Sequence, residues 1–433
     1  MNAVTLDAAD GRTGKLVTPD DQRYGRLRST FTTVGRPALV ALPENPGDVA
    51  EALAMARREG MAVSVRSGGH GLSGRSTNEG GMVIDLSALN GVEVLDRTAR
   101  LVRVGPGARW AQVAQALAPH GLAISSGDHG NVGVGGIATG GGVGWLVRHY
   151  GLTVDHVRAV EVVLPDGRFV RADRDREPDL FWVMRGAGAG AGIAVAFEIE
   201  AAEIGSVGVV QLAAAVDPAG ETLLRWERTM AAAPRTLSTA VTLVPRGTSA
   251  TAALITAVVA SEDPDLLRSS VEPLLGIGDV SVQDARIMPY RGLVPLAHLH
   301  PNTGGMPSVT TNGLLTRMTK DAAKSLVATA SGPTPALLQL RSLGGAVNDV
   351  GPDETAYSHR HQRTLVVASM FPPDDRADLD RAWQALALHT DGAYVNFESH
   401  PDDVTRDRAY PGSTGTRVRD LWRRYDPDGV LHP

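Results

Sequence analysis

The sequence predicts an α+β protein of two domains, and three observations carry that expectation. Segments of helical and of strand periodicity are mixed along the chain without internal repeats. Glycine is dense up to about residue 205 and thins from about residue 206, where longer regular segments begin. A chain of 433 residues, 43% hydrophobic and 21% charged, is also longer than a single core usually organises.

The elements follow in chain order. "PENPGDVAEALAMARREG" opens on a turn, spaces Val49, Leu53 and Ala56 as one helical face and stops at Gly60. "MAVSV" is a short buried strand that runs into the glycine loop "RSGGHGLSG", residues 66–74. "MVIDLSALNGVEVLDRTARLVRVGPG" contains short β runs separated by turns, and Trp110, Val113, Ala114 and Leu117 line a helix closed by Gly121. "VRAVEVVLPDGRFVRA" reads as a hairpin joined at "PDG". In "IAVAFEIEAAEI", Ile193, Val195, Phe197 and Ile199 alternate as one face of a half-buried strand. Beyond residue 206, segments such as "STAVTLV", "TAALITAVVAS", "DPDLLRSSVEPLLG", "PALLQLRSLGGAV" and "TLVVASM" predict an antiparallel sheet backed by helices.

Composition narrows the chemistry. A net charge of −6 provides no basic face for a phosphate backbone, so small molecules are expected as partners rather than nucleic acid. The absence of cysteine removes disulfides, thiolate metal sites and a cysteine nucleophile. The polar N-terminal stretch and the lack of a long apolar run predict a cytoplasmic protein without a membrane span. Arginine replaces lysine almost everywhere, and alanine and glycine are abundant, as in proteins of high-GC bacterial genomes.

Two glycine loops are the first candidates for a site. In the loop after "MAVSV", Gly68, Gly69, Gly71 and Gly74 permit backbone angles closed to other residues, and Ser67 and Ser73 add hydroxyl donors. Successive free N–H groups in such a turn form an anion-binding nest suited to a diphosphate. "GDHGNVGVGGIATGGGVGW", residues 127–145, has the same properties over a longer reach, and two such loops in one domain point to a dinucleotide. Gly133, Gly135 and Ala138 also fit a G-x-G-x-x-A nicotinamide fingerprint. The context opposes that reading, because "SSGDHGN" rather than a buried strand precedes the first glycine and a hairpin replaces the βαβ continuation.

Two later segments carry titratable groups. In "AYVNFE", read as a strand, Tyr394, Asn396 and Glu398 share a face opposite Val395 and Phe397. In "ETAYSHRHQR", Tyr357, His359 and His361 fall at spacing two, as do Gln339 and Arg341 on the preceding strand. His298 and His300 enlarge the histidine set, but no spaced carboxylate completes a metal site, and none is expected. Arg341 suits an anionic ligand, or equally an ion pair on the sheet surface.

The order of these segments, with "YGLTVDHV", "DLFWVMRGAGAGAGIAVAFEIE", "YVNF" and "RYDPD", resembles the FAD-linked oxidases of the berberine bridge enzyme type, within the vanillyl-alcohol-oxidase/PCMH superfamily. The resemblance runs from about Pro37 to Asp428 and implies a two-lobed PCMH-type FAD-binding domain in residues 1–205. It further implies a substrate domain in 206–390 and a C-terminal segment, 391–433, that returns to the FAD domain. On this basis His70 matches the histidine that bonds the flavin 8α-methyl. Arg66, Ser67, Gly68, Gly69, Gly71, Ser73 and Gly74 surround it as cofactor-binding residues. The second loop contributes His129, Val132, Gly133, Gly135, Gly136, Thr139, Gly140, Gly142 and Val143, and the strand start contributes Gly192 and Ile193.

Many relatives make a second link through a cysteine where this chain has His129, so the resemblance implies one covalent tether only. Val132 stands where relatives place a branched residue that accompanies reactivity with O2, and Ala191 replaces a usual phenylalanine. Tyr394 matches a catalytic base and Asn396 a flavin contact, while Tyr357 or His359 faces flavin or substrate. The implied activity is oxidation of a C–H next to O or N by hydride transfer to flavin N5, with O2 as acceptor, by a monomer or homodimer. A role in bacterial secondary metabolism or small-molecule catabolism follows. The alternatives are a natural-product tailoring oxidase or cyclase, and a flavin-binding protein without turnover.

Overall fold

A computed structural model describes residues 15–246, 250–295 and 302–431. His298 and His300 lie outside the described residues. The first lobe is a four-stranded sheet ordered Leu16–Val17, Leu39–Ala41, Met82–Asp85, Val63–Arg66, whose last three strands are parallel. Parallel pairing needs a crossover, and the helix Pro46–Arg58 supplies it. Asn45 caps that helix by accepting the Asp48 N–H at 3.1 Å, Pro46 occupies its first turn, and Val49, Leu53 and Ala56 face the sheet as their spacing predicted.

The second lobe is an antiparallel sheet ordered Val92–Asp96, Leu101–Val104, Ile193–Glu200, Val157–Val163, Phe169–Asp173. Its outer pair, joined at "PDG", is the expected hairpin. The strand Ile193–Glu200 departs from the expectation of one buried face. Its register shifts between Ala194 and Ala196, and again between Glu198 and Ile199. A bulge re-aims the side chains that follow it, so Ile193 and Val195 enter the core of the first lobe while Phe197 and Ile199 enter that of the second. One strand thereby welds two cores.

The third layer is an antiparallel seven-stranded sheet. Its order is Val280–Pro289, Ser206–Val216, Ala250–Val259, Leu237–Arg246, Leu337–Ser342, Thr364–Met370, Val309–Leu315. Helices Glu221–Ala232, Pro264–Val271, Lys320–Ser331 and Arg376–Ala387 are associated with one face, where Leu212, Trp226, Leu243, Ile255, Leu326, Leu340 and Trp383 share a core. Helix Gly412–Tyr425 returns to the second lobe, with Val418, Leu421 and Tyr425 in the same core as Leu180 and Phe197. Among the described residues, no helix is long and apolar enough to cross a membrane.

Two local expectations are corrected. Residues 393–398 do not form a strand; Val395–Phe397 is a 3-10 turn. The cause is Asn312, whose buried amide accepts the Tyr394 N–H at 2.7 Å and donates to the Tyr394 carbonyl at 3.0 Å, using up the groups a ladder needs. Residues 357–361 are likewise irregular, with Tyr357 and His359 buried and in edge-on contact while His361 is exposed.

Arg148 ties the glycine-rich half to the seven-stranded layer. Its guanidinium is buried and donates to the carbonyls of Leu237 at 2.8 Å, Leu343 at 2.7 Å and Ala233 at 3.2 Å. Burial, with repulsion from Arg235, pulls its pKa down to about 10, so the cation persists at neutral pH. Arg148→Met keeps the stem but strands three carbonyls, and is expected to cost roughly 3 kcal/mol, read as a lower urea midpoint.

Candidate active site

The two glycine loops meet backbone to backbone. A Cβ on Gly68 would lie 2.4 Å from the Gly133 nitrogen, and one on Gly133 would lie 2.3 Å from the Gly68 nitrogen. Ser67 stitches the same junction, its hydroxyl donating to the Pro106 carbonyl at 2.5 Å and accepting the Gly135 N–H at 3.2 Å. Arg109, which the sequence reading did not single out, donates from Nη1 to the carbonyls of Gly68, at 2.6 Å, and of Asn131. Its backbone also bridges Gly133. Nothing in "GARW" marks that role, since it arises only when both loops are folded against it.

At this junction His70 and His129 come together, with ring centroids 5.7 Å apart and planes tilted by 37°. Asn131 N–H donates to His129 Nδ1 at 3.3 Å, which puts the proton of a neutral His129 on Nε2. Gly69 and Gly74 take φ of +70° and +69°, angles that favour glycine. Gly71 accepts the Gly74 N–H at 3.3 Å to close the turn around Ser73. Arg66 is engaged elsewhere. It is buried, paired with Asp85 at 2.7 Å and bonded to the Leu27 and Ser29 carbonyls, so it anchors the segment before the loop from behind. Val132 packs partly into the second-lobe core, and Gly192 and Ile193 lie under the sheet, Ile193 being buried and a Gly192 Cβ meeting Val162 at 2.5 Å.

The far end of the second loop builds a tyrosine site. Helix Val134–Gly140, held by Thr139 Oγ1 donating to the Gly135 carbonyl at 2.8 Å, ends in glycines against which two side chains lie. A Cβ on Gly140 would strike Asn396, and one on Gly141 would strike the Tyr394 ring at 2.7 Å. The Tyr394 hydroxyl accepts the Gly142 N–H and the Asn396 amide N–H, each at 2.8 Å, while Asn396 also donates to the Gly136 carbonyl at 3.2 Å. Burial pushes the Tyr394 phenol up to about 12, opposed by those two donors and by the charge of Arg341.

Tyr357 packs edge-on against Tyr394 at 5.9 Å, beside buried Val143. Burial raises its pKa too, and its hydroxyl is a buried polar atom with no hydrogen-bond partner among the described residues. His359 donates from Nε2 to the carbonyls of Arg408 at 3.0 Å and Ala409 at 3.1 Å, which latches the Tyr357 segment to the C-terminal helices. Arg341 pairs with Asp128 at 2.5 Å and lies over the Phe397 ring, which packs on Tyr394 at 5.5 Å. Glu398 is turned away from Asn396 and accepts from Thr311 at 2.8 Å. No metal-binding cluster occurs among the described residues.

Residues 37–173 match the FAD binding domain family. The chain is 26% identical to an uncharacterized FAD-linked oxidoreductase, YgaK, of Bacillus subtilis, over 97% of this chain and 95% of that one. The chain thus carries an FAD binding domain and is similar over nearly its whole length to an FAD-linked oxidoreductase. It is also 35% identical to (R)-6-hydroxynicotine oxidase of Paenarthrobacter nicotinovorans, over 44% of this chain and 42% of that protein. Among solved structures, chitooligosaccharide oxidase superposes with a TM-score of 0.85 at 24% identity, covering 96% of this chain and 95% of that one. For 6-hydroxy-D-nicotine oxidase from Arthrobacter nicotinovorans the TM-score is 0.84 at 23% identity, with 96% of each chain covered.

The residues of the site fit FAD. The loop junction is bare backbone, where only glycine is tolerated, and an exposed histidine edge, His129, borders it. Gly133→Ala is expected to force the loops apart and to lower both the melting temperature and the FAD content of purified protein. Gly136 is the contrast, because its Cβ would meet nothing within 4 Å in a helix. Gly136→Ala should leave the melting temperature unchanged or raise it, by up to ~1 kcal/mol of stability.

Proposed function

We propose that the chain is an FAD-dependent oxidase tethered to its flavin through His70, removing hydride from a C–H next to oxygen or nitrogen in a small molecule. The observation that carries this reading is the Tyr394 hydroxyl, which accepts two N–H donors at 2.8 Å beside the glycine loop of the FAD-binding domain. FAD, when bound, supplies the hydride acceptor and passes the electron pair to O2, giving hydrogen peroxide. Gly68, Gly69, Gly71, Ser73, Gly74, Gly135, Gly136 and Thr139 would line its path, with Arg66 and Ser67 fixing the first loop from behind. Gly140, Gly142, Val143 and Asn396 would adjoin its ring, with Val132 and Gly192–Ile193 at the backbone edges.

The chemistry asked of the protein is removal of a proton from the substrate hydroxyl or amine as hydride leaves the neighbouring carbon. Two donors aimed at the Tyr394 oxygen stabilise its phenolate, as donors do for any developing oxyanion. Tyr357 walls the phenol, and His359 holds Tyr357 in place rather than meeting substrate. A solved neighbour, glucooligosaccharide oxidase from Acremonium strictum, is described as carrying a 6-S-cysteinyl, 8α-N1-histidyl FAD. This chain has His70 in the first glycine loop and no cysteine, which supports a single histidyl link.

Acid-precipitated wild-type protein should stay yellow, and His70→Ala should release the colour to the supernatant; a colourless wild-type pellet would sink the tether. Anaerobic screening of secondary alcohols, cyclic amines and phenols for flavin bleaching would identify the substrate class. With any substrate that bleaches, Tyr394→Phe is expected to lower kcat about 100-fold or more. Because burial raises the Tyr394 pKa to about 12, kcat/KM should climb with pH across the alkaline range. Arg341→Met removes a charge that lowers that pKa, and should move the rising limb to still higher pH.

A further inference from the structure

His70 stands between Gly69 and Gly71, which have no side chains to lie against its imidazole. Nucleophilic attack uses the in-plane lone pair of a ring nitrogen, so the orientation of the ring plane bears directly on attachment. Phe31 offers a surface for that plane. Its ring stacks on the His70 imidazole with centroids 4.7 Å apart and planes within 16°. Its backbone N–H donates to the Gly69 carbonyl at 2.8 Å, one residue from His70, so ring and loop are joined by both a stack and a hydrogen bond.

The segment carrying Phe31 is itself restrained. Arg66, paired with Asp85 inside the first lobe, donates to the Leu27 carbonyl at 2.5 Å and the Ser29 carbonyl at 3.2 Å. Thr30 and Thr33 close a turn through Thr30 N–H to the Thr33 carbonyl at 2.8 Å. A chain of contacts thus runs from a buried ion pair through 27–31 to the face of the imidazole.

We propose that Phe31 is a positioning residue for covalent attachment of FAD at His70, an inference that rests on the tether proposed above. In that attachment a C–N bond replaces a methyl C–H bond. The methyl hydrogen, the imidazole N–H hydrogen and one electron pair pass to the flavin and then to O2, which leaves as hydrogen peroxide. The stacked face of Phe31 holds the ring plane during bond formation and favours positive charge gathering on the imidazole.

The test follows attachment rather than turnover. Full-length chain from a riboflavin-limited host is mixed with FAD in air, quenched in acid at intervals, and scored for flavin fluorescence in the denatured band. Phe31→Ala should slow attachment at least about tenfold, while Phe31→Tyr, which keeps the stacked face, should attach at close to the wild-type rate. The affinity for FAD in a His70→Ala background should change less than about threefold on adding Phe31→Ala, which excludes a damaged loop. Attachment by Phe31→Ala at the wild-type rate overturns the inference and leaves the tether standing; equal slowing of both Phe31 variants, or a collapse of FAD affinity, overturns it as well. Failure of the wild-type chain to retain any flavin removes the tether first, and with it this role.

Discussion

The approach of Gly68 to Gly133 is the constraint on which the rest of the site depends. Two peptide backbones come so close that a methyl group on either would sit 2.3–2.4 Å from the other's nitrogen. Restoring ordinary van der Waals distance would push the loops apart by about an ångström. Everything nearby is registered to that junction. The Ser67 hydroxyl finds the Gly135 N–H, Arg109 reaches carbonyls of both loops, and His70 comes within 5.7 Å of His129 only because the loops touch. The helix starting at Val134 then delivers Gly140–Gly142 to Tyr394 and Asn396. One backbone contact fixes both ends of the site.

How much of this was legible in the sequence depends on whether a role is local. The helix Pro46–Arg58, the "PDG" hairpin and the two glycine loops are local, and period, caps and glycine placement announce them. Arg109, Asn312 and Phe31 are different. Their partners lie far along the chain, at Gly68 and Asn131, at Tyr394 and at His70, and no spacing rule links such pairs. The error at 393–398 has the same origin. Alternation in "AYVNFE" favours a strand until the Asn312 amide captures both backbone groups of Tyr394, a tertiary partner overriding a local pattern. The bulged strand Ile193–Glu200 follows suit, because serving two cores requires a change of face that strict alternation cannot express.

Arg66 flanks the glycine loop, but its guanidinium is engaged away from the loop junction. Its place beside the glycine loop suggests cofactor binding, yet its guanidinium is spent on Asp85 and on two carbonyls of the segment that bears Phe31. A fully buried guanidinium is stable only with such partners. The loop it precedes is therefore held from behind by charge and from the side by an aromatic face. Its glycines are left to do what only they can, which is to stay out of the way.

Charge near Tyr394 is arranged by opposition. A buried phenol resists ionisation, and two N–H donors and Arg341 work against that resistance. Arg341 is not a free cation, since Asp128 lies 2.5 Å from it, and the carboxylate offsets part of its field at the phenol. Asp128 belongs to the same glycine loop as His129 and Gly133, whereas Arg341 belongs to the seven-stranded sheet. Two neighbouring groups are engaged elsewhere: Arg360 lies over Tyr357 but is committed to Asp155 at 2.8 Å, and the buried Tyr410 hydroxyl donates to the Gly186 carbonyl at 3.1 Å. Burial and the Gly142 and Asn396 donors, on the glycine-rich side and the C-terminal segment, dominate the acidity of the tyrosine, and Arg341 adds a smaller influence from across the interface with the sheet.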